Sequence, residues 1–124
     1  MMNYQTIVEN YVRAYNRMDI DGMMADMDDE VRFENISNGE VTHSVSGLSE
    51  LRALATQALG FFSERSEHIQ DIRIDGDTVE LSVDYRATLA KDLWGMKAGQ
   101  MLELKGRSVF TFRNKKIIGL KDIS

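Results

Sequence analysis

The sequence predicts an α+β fold: a cone-like, curved, mostly antiparallel sheet wrapped on three N-terminal helices and enclosing a pocket. Two observations carry this expectation. Apolar residues recur every three or four positions along most of the first half, and from Ser66 to the C-terminus they recur every second position, the side-chain periods of helix and strand. The closing stretch Gly106–Ser124 reads as a hairpin with alternating apolar and polar residues on both arms. Helices grouped first and an antiparallel meander second is the order of an α+β domain.

Tyr4, Ile7, Val8, Tyr11, Val12, Tyr15 and Met18 paint one stripe along a helix over residues 3–18, the mark of an amphipathic helix. Asp19 or Asp21 can cap a short second helix with Ile20, Met23, Met24 and Met27 inward, because a carboxylate there accepts from the free N–H groups of the first turn. The acidic run Asp26–Glu30 ends that helix and reads as a solvated turn. Val31, Phe33 and Asn35 alternate with Arg32, Glu34 and Ile36 as a first strand, followed by a loop at Ser37-Asn38-Gly39 and a short return strand at Val41–Ser46. Ser46 and Gly47 precede a long third helix whose stripe is Leu48, Leu51, Leu54, Ala55, Ala58, Leu59 and Phe62.

In the second half, Ile72 and Ile74 lead into Asp75-Gly76, a strong hairpin signal. Val79, Leu81, Val83, Tyr85, Ala87 and Leu89 then share the inner face of a strand, and the glycine-bearing connection Lys91–Gln100 carries the only tryptophan, Trp94. Leu102, Leu104, Gly106, Ser108, Phe110 and Phe112 share a face of a long strand that Asn114-Lys115 turns into the last one. There Ile118, Leu120 and Asp122 share a face, which places a carboxylate on what should be a buried side, where an unpaired charge is costly. No repeat, linker or low-complexity segment divides the chain, so one domain is expected over residues 1–124.

The chain has 124 residues, enough for one core. A net charge of −5 argues against nucleic acid or an anionic membrane as partner, since both demand a basic surface. The absence of cysteine removes disulfide, thiolate and Cys-based zinc chemistry. With no leader pattern and no long apolar run at the N-terminus, a cytoplasmic location is expected. The acids of DMDDE lack the central glycine and late glutamate of a calcium loop, so neither a metal nor a cofactor is expected.

The order helix, helix, strand, helix, then four strands resembles the nuclear transport factor 2-like superfamily along the whole chain, in particular its SnoaL-like polyketide cyclase and ketosteroid isomerase branches. The residues behind the resemblance are the helix NYVRAYNRMDIDGM, the strand EVRFEN, the helix opening VSGLSELRAL and the final pair SVFTFRNKKIIGLKDIS. Ketosteroid isomerases combine an aspartate base with an oxyanion hole made by a tyrosine and a protonated aspartic acid. By resemblance the tyrosine falls on Tyr11, the base on Asn35 and the protonated acid at or near Ser108, so two of the three groups differ. The cyclase branch places its acid/base aspartate on the final strand, where this chain has Asp122. A homodimer is expected on the same ground.

Asp122 and Tyr11 are therefore the candidate catalytic residues, and Tyr15, Phe33, Asn35, Tyr85, Trp94, Ser108 and Phe110 the candidate lining of a pocket for a small apolar or polyketide-like molecule. The reaction that fits is proton transfer next to a carbonyl, as in an isomerase or cyclase, with Asp122 as base and Tyr11, Asn35 and Ser108 as donors. Two readings stay open at each position. Asp122 is either a cavity base or a solvated end-of-strand acid. Tyr11 is either a donor or a core tyrosine, and Trp94 either closes the mouth or meets a second copy. His43 and His68 read as rim or surface residues. The alternative for the whole chain is a non-catalytic ligand-binding or dimerisation module.

Overall fold

Asn3 starts the first helix by accepting the Thr6 N–H on its side chain at 2.8 Å, and this helix, α1 (Tyr4–Asn16), buries Ile7, Val8, Tyr11, Val12 and Ala14. The computed structural model describes residues 3–124. Met18 takes a left-handed φ of 58° and breaks the chain direction. Asp19 then caps α2 (Ile20–Met24) by accepting the Gly22 N–H at 3.0 Å.

The acidic run does not form a turn. Beyond Asp26 it lies in β1 (Met27–Ser37), and Met27 is buried there and not on the second helix. The Ile117 N–H donates to the Asp26 carbonyl at 2.8 Å and draws this segment into the sheet. Glu30 and Asp28 meet Arg113 at 3.0 and 3.7 Å, so the charges of the run sit on the outer side of a strand. β2 (Glu40–Ser46) returns as an exposed edge.

The third helix, α3 (Leu48–Leu59), is shorter than its apolar stripe suggests. Gly60 ends it, with its N–H on the Gln57 carbonyl, and Phe62 opens β3 (Phe62–Asp75) instead of closing the helix. The Ala90 N–H donates to the Phe61 carbonyl at 2.8 Å, so sheet pairing captures both phenylalanines. The change to strand period thus comes before Ser66. β3 turns at Gly76-Asp77, one residue beyond the expected pair, into β4 (Thr78–Leu89). β5 (Met101–Arg113) and β6 (Lys116–Ile123) complete the six-stranded sheet in the order β2-β1-β6-β5-β4-β3. Among the described residues only the β1–β6 pairing is parallel.

On β6 the buried aliphatic residues are Ile117 and Leu120, not Ile118 and Leu120. A bulge causes the change: Thr111 pairs with Gly119 and Phe112 with Ile117, which leaves Ile118 as the extra residue. Beyond the bulge the alternation resumes, so Leu120 and Asp122 do share a face. Under the curved sheet, the inward residues of α1 share one core cluster with Val79, Leu81, Phe110, Phe112 and Leu120, with the Tyr4 and Phe112 rings stacked at 4.1 Å. Among the described residues no helix is long and apolar enough to cross a membrane.

Candidate functional site

Toward the end away from the Tyr4–Phe112 stack, helices and concave face leave space between them. A cavity of about 500 Å³ opens there, walled by α1, α3 and the strands. Its position follows from register. Asn35 on β1 pairs with Asp122 on β6, and Asp122 pairs with Ser108 on β5, so three polar residues form one row across three strands on the cavity side. Ser108 Oγ donates to Asp122 Oδ1 at 2.8 Å. Burial pushes the Asp122 carboxyl up to about 6, against the opposing pull of that Ser108 bond.

Tyr11, Tyr15, Phe33, Asn35, Tyr85, Ser108 and Asp122 all line the cavity, and Trp94 joins them at its mouth. Phe110 does not. It is fully buried beneath Tyr11, edge to face at 5.4 Å, because two residues beyond Ser108 the strand has already passed under α1. Ser108 spends its hydroxyl proton on Asp122 and so serves the carboxylate, not a ligand. Asn35 Nδ2 donates to Thr42 Oγ1 at 2.8 Å, and that hydroxyl faces His43 Nδ1 at 3.3 Å. His43 thus stands at the rim, while His68 is exposed in the middle of β3. Trp94 remains 60% exposed and leans on Phe61 and Phe62 with ring centroids at 5.9 and 6.2 Å.

Tyr11 is buried, and its phenol is raised well above the usual value by burial and then by the Asp122 charge. It is therefore a neutral donor in the wall beside Asp122. Tyr15 is raised for the same first reason, and its ring carries the Arg65 guanidinium at 3.7 Å, a stacking that holds a cation over an aromatic face.

Sequence reasoning missed Arg65 and Glu67. Both lie on β3 with their side chains in the cavity wall, where the chain SERSEH looks like a solvated charge run. Arg65 is buried, donates from Nε to the Tyr15 carbonyl at 3.2 Å and rests an Nη on Met23 Sδ at 3.6 Å. Glu67 pairs across the sheet with Tyr85. Its carboxyl is raised to about 8 by burial first and by the Asp122 charge second, while Arg65 pulls the other way. Tyr85 faces inward and so does its cross-strand partner, but only the pairing itself shows that this partner is Glu67.

This curved sheet over three helices with an internal cavity is the nuclear transport factor 2-like fold. A protein of that fold and of unknown function from Burkholderia pseudomallei superposes with a TM-score of 0.82 at 20% identity, covering 98% of this chain and 90% of the other. A proposed polyketide cyclase from Xanthomonas campestris gives 0.79 at 20% identity, with 97% and 88% covered. TerC, co-crystallised with polyporic acid, gives 0.77 at 14% identity, with 94% and 87% covered. At these identities the likeness is one of fold. The SnoaL-like domain family model matches residues 8–120, and the chain belongs to that family. No curated protein matches it in sequence.

Proposed function

We propose that the protein binds a small, largely apolar carbonyl compound of polyketide type and moves a proton at the carbon next to the carbonyl. The observation that carries this reading is the Asp122 carboxyl, held by Ser108 in the wall of a mostly apolar cavity. With its pKa at about 6 it is ionised at neutral pH yet basic enough to take a proton from an acidified C–H. As that bond breaks, the electron pair moves onto the carbonyl oxygen, where the neutral Tyr11 phenol donates. The proton then returns from Asp122 to the same or a conjugated carbon. Phe61, Phe62 and Trp94 offer aromatic surface to a flat ligand, and the co-crystallisation of TerC with polyporic acid is in keeping with such a ligand. A homodimer through the outer face of β5, with Glu103 and Lys105 exposed there, belongs to the same reading and is checked by sedimentation.

The test uses 2-acetonaphthone, a neutral aryl methyl ketone, as probe and follows deuterium exchange at its methyl group by NMR. Asp122→Asn should slow the exchange by about 100-fold or more while binding changes less than tenfold. An unchanged rate would remove Asp122 from the mechanism. Asn35 and Ser108, standing where related isomerases carry acids, favour a second reading as a binding module without turnover. In that case the wild type binds the probe and never exceeds the buffer exchange rate.

A further inference from the structure

We propose that Glu67, as an uncharged carboxylic acid, is a second catalytic group of this cavity that donates to the ligand oxygen while Asp122 works at carbon, so that the pocket selects uncharged ligands bearing an acceptor oxygen. The inference deepens the reading of Asp122 as base and rests on it. Glu67 is fixed from behind: its N–H donates to Asn16 Oδ1 at 2.7 Å and its carbonyl accepts from Asn16 Nδ2 at 3.1 Å. Its side chain lines the cavity, and among the described residues no side chain donates to its carboxyl. Among the described residues no fully buried side-chain oxygen lacks a partner, so these oxygens open onto the cavity, where a ligand is the partner they can take.

Arg65, the cation whose charge acts on Glu67, is turned away. A guanidinium commonly holds a carboxylate charged through a paired fork of hydrogen bonds, but Arg65 lies over the Tyr15 ring and donates to the Tyr15 carbonyl. Among the described residues it makes no ion pair within 4.0 Å. The groups facing Glu67 are thus Arg65 from its own strand, Tyr11 and Tyr15 from α1, Tyr85 from β4 and Asp122 from β6. Burial and the Asp122 charge keep the acid protonated at neutral pH.

The step balances within the pair. Asp122 takes the proton from carbon, the C–H electron pair forms the enol double bond, and the carbonyl π pair takes the Glu67 proton. The enol is neutral, Asp122 is now the acid and Glu67 the carboxylate. Return of both protons restores the start, and the pair holds one negative charge throughout, so no second charge builds up in the low-dielectric cavity.

The experiment compares wild type, Glu67→Gln and Asp122→Asn with 2-acetonaphthone and with 2-naphthoate, its anionic counterpart. Wild type should bind the ketone more tightly than the carboxylate, and Glu67→Gln should slow methyl exchange about tenfold to a hundredfold with ketone affinity within about threefold. It should also abolish the fall in rate that wild type shows above about pH 8, where Glu67 ionises. An unchanged rate with an unchanged alkaline limb overturns the role of Glu67 while leaving Asp122 in place, whereas an unaffected Asp122→Asn overturns the underlying reading instead. Carbon-13 labelling of glutamate in the wild type gives a readout that needs no variant: a Glu67 carboxyl that titrates near 4.5, its ordinary value, overturns the proposal.

Discussion

Asp122 is a carboxylate partly buried in a cavity wall, which needs a physical reason. Taking a carboxylate out of water disfavours its charged form, and the Ser108 bond recovers part of the loss because a hydroxyl donor favours the ion. The balance leaves the group at about 6, between an ordinary aspartate and a fully suppressed one. Removing the donor tips it further. Ser108→Ala should raise the Asp122 pKa above its present value and move the acid limb of the exchange rate to higher pH, with the rate above that limb kept within about tenfold. A pH–rate profile reads the shift, and an acid limb that stays in place would mean that the Ser108 bond does not tune the base. Glu67 titrates higher, raised first by burial and then by the Asp122 charge, and the proposed mechanism divides the two carboxyls into base and acid on that difference.

At the scale of elements, two bulges decide which residues face the cavity. Counting back from the turn, Ile72 pairs with Leu81, and an unbroken ladder would set His68 opposite Tyr85. Gln70 is left unpaired between Ile69 and Asp71, the register slips by one, and Glu67 takes the inward place. The alternating faces of β4 and β5, the turn at Asn114-Lys115 and the inward aspect of Asp122 were legible in the sequence, because plain period two carries that information. Arg65 and Glu67 were not, since a bulge is set by pairing with β4 and leaves no mark in the local pattern. Phe62 was misplaced for a similar reason: its spacing suits a helix, but Leu89 pairs with it across the sheet. β5 and β6 approach so closely beside the cavity that a Cβ on Gly106 would lie 2.9 Å from the Ile123 carbonyl oxygen. Backbone cannot swing aside as a side chain can, so Gly106→Ala must part the strands next to the Ser108–Asp122 bond. The expected cost is about 1–3 kcal/mol in denaturant unfolding, together with an upward shift of the acid limb, and a variant as stable as wild type would show that the strands yield freely.

For the whole molecule the two partly buried acids of the cavity tie stability to pH in a direction opposite to the usual acid denaturation. Unfolded Glu67 and Asp122 titrate at their ordinary values of 4.5 and 3.8, whereas in the fold they hold their protons to about 8 and about 6. Over those intervals the native state binds more protons than the unfolded chain, so stability falls as pH rises. Each contribution is whole below the unfolded value. Asp122's is lost by about pH 6 and Glu67's by about pH 8. The surface ion pairs, such as Arg52 with Asp21 at 2.7 Å, work in the other sense and are each worth little. The growing negative charge of an already acidic chain acts in the same sense as the buried acids, so wild type alone cannot separate the causes. Subtracting variants can. Glu67→Gln and Asp122→Asn remove the titrations and keep the shapes, so the double variant should gain on wild type by on the order of a few kcal/mol between pH 5 and pH 8, most of it from Glu67. Calorimetric melting at pH 5 and pH 8.5 measures the difference; parallel melting curves at the two pH values would mean that neither carboxyl carries its proton into the fold.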